Sequence, residues 1–301
     1  MHITPCASMP SFRIVCYMTM TVLAQLQQLM PSLPKAELKV ARVLREDYPS
    51  AGLGTVAAVA AGAEVSGPTV LRLVERLGFE GFPEFQQALR EELSMRTKSP
   101  LELYTEATDS VDPLERARQR LMGSLQRTFQ LLDPAEVSQA VELISNLTKN
   151  VHCTGGRFTG VVAQSLALHL EVLRPNTSFL STENRIAKVL DFSAKDVVVA
   201  FDLRRYQDST AQFAREAKRR GASIVLVTDE WMSPITSIAD VVLKVGLEAP
   251  SPFDSLIGAE ALVETLVAGI VDLLGDQPHD RIAAYDALWG TDEIGDAGPS
   301  N

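Results

Sequence analysis

"SGPTVLRLVERLGF", residues 66–79, is a short amphipathic helix written between two stop signals. Leu73, Val74 and Leu77 fall on one face, while Arg72 and Arg76 lie four apart on another, a spacing that stacks side chains one above the other on a helix. Ser66 stands where a helix takes its N-cap, Pro68 is tolerated in the first turn, and Gly78 ends the helix. Upstream, "PKAELKVARVLREDY" places Leu38, Ala41, Val43 and Leu44 on one face before Pro49 stops it. Thr55 caps "VAAVAAGA", a small-residue helix ending at Gly62, and "AEV" forms the turn that leads to Ser66. Downstream, "FEGFPEFQQALREEL" supplies Phe79, Phe82 and Phe85 to close a small core. Helix, short turn and capped helix predict a helix-turn-helix, whose second helix presents groove-facing side chains.

A reading helix needs short residues where the backbone meets phosphate and long donors one turn later for base edges. Ser66, Gly67 and Thr69 meet the first need, Arg72 and Arg76 the second. The alternative is a solvated face in which both arginines pair with Glu75. The whole chain carries a formal net charge of −10 over 301 residues, which argues against a protein that coats nucleic acid and leaves room for a small reader on an acidic body. From Pro34 to Leu93 there are seven Lys/Arg and nine Asp/Glu, a net −2, so dimeric binding to two half-sites is expected to supply the missing affinity. Three cysteines, Cys6, Cys16 and Cys153, are odd in number and lack metal spacing. They predict a reducing cytoplasm, no disulfide framework, no metal and no cofactor. The apolar run Ile14 to Leu23 is too short to span a membrane, residues 1–30 read as an extension, and translation starting at Met18 or Met20 would remove part of it.

From Val151 the period changes. "VHCTG", "TSFLS", "DVVVAF", "SIVLVT" and "DVVLKV" alternate with helical stretches such as "TGVVAQSLALHLEVL", "DSTAQFAREAKRR" and "SPITSIA", which predicts a parallel sheet covered on both faces. Residues 94–112 read as a linker, Asp133 and Pro134 announce a helix, and "GTDEIGDAGPSN" at the end is expected to be disordered. After the first strand, the Gly155–Gly156 turn and Thr159 present amides and a hydroxyl at a helix start expected near Phe158, a place for an anion or simply for tight packing. A dinucleotide fingerprint would need glycine at 157, where Arg157 stands. His152, His169 and Cys153 read as packed or partly exposed residues with no catalytic partner set by spacing, and the run from Ser251 to Val271 reads as an apolar helix.

Residues 34–93, with the pattern S-x-x-T-V-x-R-x-x-x-x-L-G-F-x-G-F beginning at Ser66, resemble the DNA-binding domain of the RpiR family of bacterial transcriptional regulators. Residues 133–275, through "TGGRFTGVVA", "DVVVAF", "AKRRGASIVLVTD" and "SPITSIAD", resemble the SIS (sugar isomerase) domain. The resemblance implies an all-α helix-turn-helix domain followed by an α/β domain with a doubly wound five-stranded parallel sheet. The expected boundaries are 1–30 extension, 31–95 helix-turn-helix, 96–132 linker and connecting helix, 133–290 SIS domain and 291–301 disordered tail. It implies operator contacts from Ser66, Thr69 and Arg72, to which the helix-face reading adds Gly67 and Arg76. It also implies a phosphosugar effector at the strand ends, with Gly155 and Thr159 matching the first phosphate loop and Gly156 and Arg157 between them. The second loop departs: where the family has S-x-S-G-x-T, this chain has "DLRRYQ", which puts Asp202, Arg204, Arg205 and Gln207 in the place of hydroxyls. Arg204 and Arg205 suit an anionic ligand or an interface with acidic neighbours. The expectation is a homodimeric or homotetrameric regulator, not an enzyme and not membrane-bound, that binds operator DNA and a small anionic sugar derivative. The alternatives are a sugar-phosphate isomerase using Glu183 or Asp202, and a scaffold that only dimerises.

Overall fold

A computed structural model describes residues 21–97, 99, 101, 102, 104 and 112–289. Cys6, Cys16, Met18, Met20 and the end of the chain from 290 to 301 lie outside the described residues. Contacts divide the chain into two units, one ending at Arg90 and one beginning at Glu91.

In the first unit, α1 (Val22–Leu29) and a 3-10 turn (Met30–Ser32) precede α2 (Lys35–Glu46), α3 (Ser50–Leu53), α4 (Val56–Gly62), α5 (Gly67–Arg76) and α6 (Phe82–Thr97), the last running past the unit boundary. Of the stretch expected as an extension, the described residues from 21 on form part of this unit. Val22 and Leu26 belong to the same core as Val40, Leu44, Val59, Val70, Leu73, Val74 and Phe85, because their four-residue spacing makes a stripe that a lone segment would leave wet. α6 continues to Thr97, into the stretch expected as the linker.

Capping chemistry sets the helix ends. Thr55 Oγ1 accepts from the Ala58 N–H at 3.1 Å. After α5, the Phe79 N–H reaches back to Val74 O and the Gly78 N–H to Glu75 O, with Gly78 at φ +95°, the paired bonds of a Schellman end. The same pair closes α4, from Val65 to Ala60 and from Glu64 to Ala61. There the left-handed residue is Glu64, at φ 53°.

In the second unit, α7 (Pro113–Leu131) and α8 (Pro134–Ser145) lead into β1 (Asn150–Gly155), α9 (Gly160–Leu173), β2 (Thr177–Leu180), α10 (Arg185–Lys188), β3 (Asp196–Phe201), α11 (Asp208–Arg219), β4 (Ser223–Thr228), β5 (Val241–Lys244), α12 (Ile257–Leu274) and α13 (His279–Trp289). The sheet order is β2-β1-β3-β4-β5, every pair parallel. All six residues of β3 are buried. Val197, Val199 and Phe201 face α8, α9 and α12, while Val198 and Ala200 face Phe213 and Ala214 of α11. The helices after β1 and β3 thus lie on opposite faces, which opens a crevice between the carboxyl ends of those two strands. The stretch "SPITSIA" forms only a 3-10 turn, Pro234–Ser237.

The helix expected between the two domains is present as α7. α7 is stitched into the sheet unit: Ser124 Oγ donates to Gly246 O at 3.1 Å, and the Gly246 N–H donates to Thr128 Oγ1 at 3.0 Å. Arg127 pairs in two hydrogen bonds with Glu230. Helical period alone states that a segment is a helix and leaves open which surface it covers.

Candidate functional site

Two places gather the residues singled out above. On α5, Arg72 and Arg76 are exposed while Val70, Leu73 and Val74 are fully buried, so the division of faces read from the sequence is present. Ser66 holds the N-cap position in extended conformation, but its hydroxyl bonds to Thr69 Oγ1 at 3.1 Å and caps no backbone N–H. Thr69 is only 4% exposed, and Arg72 Nη2 donates to its hydroxyl at 3.1 Å. In this fold Thr69 holds the guanidinium of Arg72 and is itself bonded to Ser66, with the half-buried Gly67 between them in sequence. Arg76 donates from Nε to Glu37 Oε2 of α2 at 2.8 Å. Glu37, not the neighbouring Glu75, is the arginine's partner, and its carboxylate is the buried member of the pair. The sequence offered no sign of this, because the two residues stand 39 positions apart.

The second place is the crevice between β1 and β3. Gly156, Arg157, Thr159, Asp202, Arg204 and Arg205 all line one cavity of about 530 Å³, together with Phe158, Leu203, Gln207, Phe253, Asp254 and Leu256. Gly155 lines an adjoining cavity of about 480 Å³ with Glu183 and Gln207. α9 starts at Gly160, two residues later than expected, because the turn folds on itself. The Gly156 N–H donates to Thr159 Oγ1 at 2.7 Å, and that hydroxyl donates to Phe201 O at 2.8 Å. Two of the groups expected to face an anion are thereby committed inside the protein.

The loop after β3 is tied down by carboxylates. Asp202 is buried and accepts from Ser233 Oγ and, at 3.3 Å, from the Gln207 N–H; burial pushes its carboxyl above the usual range. Arg204 grips Asp254 through Nε and Nη2 and lies over the Trp231 ring, 5.1 Å from its centroid. Arg205 is exposed, with φ 67°. Asp254, Phe253 and Trp231 were not singled out in the sequence, for they arrive from segments 25 to 50 residues away on no shared motif. A hydrogen bond with Ser181 holds the exposed Glu183 carboxyl below its ordinary value.

Asp229 anchors the loop from below. It accepts from Tyr206 Oη at 2.6 Å, from the Trp231 N–H at 2.9 Å and from the Arg204 N–H. Burial nevertheless pushes its carboxyl up to about 6. The native state then binds this proton more tightly than the unfolded chain, whose aspartates titrate near ~3.9. Its contribution to stability is fully present below about pH 4 and is lost as pH rises through about 6, roughly 1 kcal/mol between pH 5 and 7. His152, pulled down chiefly by burial, acts in the opposite sense. The difference between wild type and Asp229→Asn isolates the aspartate: on going from pH 7 to pH 5 the melting temperature of wild type should rise relative to that of the variant, and an equal change in both removes Asp229 as a source of pH dependence.

His152 is buried between Ser178 Oγ (2.8 Å) and Asp196 Oδ1 (3.0 Å), with its ring stacked on Phe192. His169 is exposed with Nδ1 against Ser165 O, and burial raises the Cys153 thiol far above its ordinary value. Among the described residues, no group of acidic, His or Cys side chains is placed to hold a metal ion, and no helix is long and apolar enough to cross a membrane.

Comparison with known proteins agrees with this architecture. The description "Helix-turn-helix domain, rpiR family" matches residues 20–96, and "SIS domain" matches residues 147–268. The HTH-type transcriptional regulator HexR of Pseudomonas aeruginosa is 27% identical over 273 residues, covering 86% of this chain and 93% of its own. An HTH-type transcriptional regulator of Haemophilus influenzae is 24% identical over 273 residues, covering 87% and 92%. Among solved structures, Vibrio vulnificus NanR complexed with ManNAc-6P is 21% identical with a TM-score of 0.54, covering 91% of this chain and all of that one. The sugar isomerase domain of an RpiR transcription factor from Sphaerobacter thermophilus is 23% identical with a TM-score of 0.52, covering 60% and 98%. Helix-turn-helix first and SIS domain second, matched in one chain and shared with regulators along most of their length, the protein belongs to the RpiR family of transcriptional regulators.

Proposed function

We propose that α5 inserts into the major groove of an operator and that an anionic sugar derivative, a sugar phosphate or a sugar acid, binds in the β1/β3 crevice to change operator affinity. The observation that carries the DNA reading is the exposed Arg72, its guanidinium already held at the foot of the helix by Thr69. Ser66 and Gly67 let the helix start approach phosphate, and Arg72 reads a base edge. Arg76, committed to Glu37, contributes charge near the backbone and no bidentate base contact. With a net charge of −2 from Pro34 to Leu93, one head binds weakly, so the working form is a homodimer or homotetramer acting in the cytoplasm on paired half-sites. The crevice ligand exerts control by favouring one arrangement of the heads, and operator affinity shifts by the same factor. A relative solved with a phosphosugar supports the ligand class.

The test is a mobility shift with DNA from upstream of the protein's own gene. Binding should weaken steeply with salt, and Arg72→Ala should weaken it by about 1–3 kcal/mol, roughly 5- to 150-fold, with helicity by circular dichroism unchanged. Unaltered affinity would remove Arg72 from the interface.

A further inference from the structure

The crevice is furnished differently from a cradle for a phosphate dianion. Such a cradle presents several donors with no acceptor among them, since a doubly charged group brings acceptor oxygens only. Here two of the turn's donors, the Gly156 N–H and the Thr159 hydroxyl, are bonded to each other and to Phe201 O. Two carboxylates, Asp202 and Asp254, line the same cavity. Arg204 is engaged with Asp254 in a two-point pair. Three arginines against two aspartates leave a lining charge of +1 (3 − 2), which balances one negative charge and not two.

The remaining walls are apolar and aromatic. Phe158 is 63% exposed and Phe253 is 58% exposed, on separate loops of the same cavity, with Leu203 and Leu256 beside them. Large exposed rings at a concave site present flat apolar surface to a ligand. A polyhydroxylated ring or chain has C–H faces that suit a phenyl surface and hydroxyls that donate to carboxylates. Arg157 is exposed at the rim, its guanidinium 5.6 Å from the Phe158 ring centroid, where it offers a planar fork to a carboxylate.

Resting on the reading of this crevice as an effector site, we infer that its ligand is a sugar acid, a polyhydroxylated monocarboxylate, in preference to a sugar phosphate. The carboxylate lies against Arg157, the hydroxyls donate to Asp202 and to the Arg204–Asp254 pair, and the C–H face rests on Phe158 or Phe253.

Calorimetric titration of the full-length protein with two matched panels tests this: aldonates and uronates of the common hexoses and pentoses, and the terminal phosphates of the same sugars, with the neutral sugars as reference. At least one acid should bind ten times more tightly than its phosphate counterpart and its neutral parent, and Arg157→Ala should weaken it at least tenfold while leaving the melting temperature of the unliganded protein in place. Tighter binding of a phosphate overturns the inference and leaves an anionic sugar effector standing. Failure of both panels to bind overturns the inference together with the effector reading. Equal binding of acids by wild type and Arg157→Ala removes the rim arginine and with it the placement of the carboxylate.

Discussion

Phe85→Ala is expected to unfold the amino-terminal helical unit and to leave the parallel-sheet unit folded. Phe85 is 1% exposed, with Phe79 and Phe82 each 5.6 Å away between ring centroids. Its packing is close enough that even a Cβ on Gly52 would stand 3.1 Å from its ring and 2.4 Å from Leu89 Cδ1. Truncating a buried phenylalanine costs about 3–5 kcal/mol, whereas a unit of this size is stable by only about 4–10 kcal/mol in all. The sheet unit keeps its own two clusters of buried residues, neither containing a residue from the first unit. In a urea titration, the helical transition should move to low denaturant or vanish, the second should stay, and the mobility shift should be lost. A single unchanged transition would show that Phe85 carries less of the core than its burial indicates.

Gly155→Ala should damage the crevice from within. A Cβ at that position would lie 2.7 Å from Gly160 N and from Thr159 C, and 2.8 Å from Thr159 O. All three are backbone atoms of the turn that returns over the end of β1, so no side chain can swing away. The requirement is steric, set by the close approach of two backbone segments. Relief requires moving the turn, which breaks the Gly156–Thr159–Phe201 chain of hydrogen bonds. Overpacking of this kind costs about 3 kcal/mol, which lowers the melting temperature of a unit of this size by about 6–12 °C. The proposed effector response should disappear with it. Gly123 on α7 has nothing within 4 Å of its would-be Cβ, so Gly123→Ala is the control and should gain up to about 1 kcal/mol from helix propensity. Equal melting temperatures for Gly155→Ala and wild type would mean that the turn yields without cost.

Local signals carried much of this architecture. The 3.6-residue stripes of α2 and α5, the Thr55 and Asp133 caps, the Gly78 stop and the five apolar strands were all legible, because each depends on residues within a turn or two of one another. So were the two glycines and the arginine pair that mark the crevice, since both loops follow strands whose ends a parallel sheet brings together. What each charged group does with its charge was not legible. Arg76 is occupied by Glu37, 39 positions upstream, and Arg204 by Asp254, 50 positions downstream. Thr69 and Thr159 read as hydroxyls for a ligand and turn out to be internal partners, one of Arg72 and one of the Gly156 N–H.

The chain's periodicity and caps determine its helices, its strands and their order, because backbone sterics and burial of an apolar stripe act over a few residues. Which donors and acceptors remain available for DNA or an effector was decided only on folding, when hydrogen bonds and ion pairs formed between segments that no local pattern connects. Coulombic and hydrogen-bond energies depend on distance in space, and only the closed structure sets those distances.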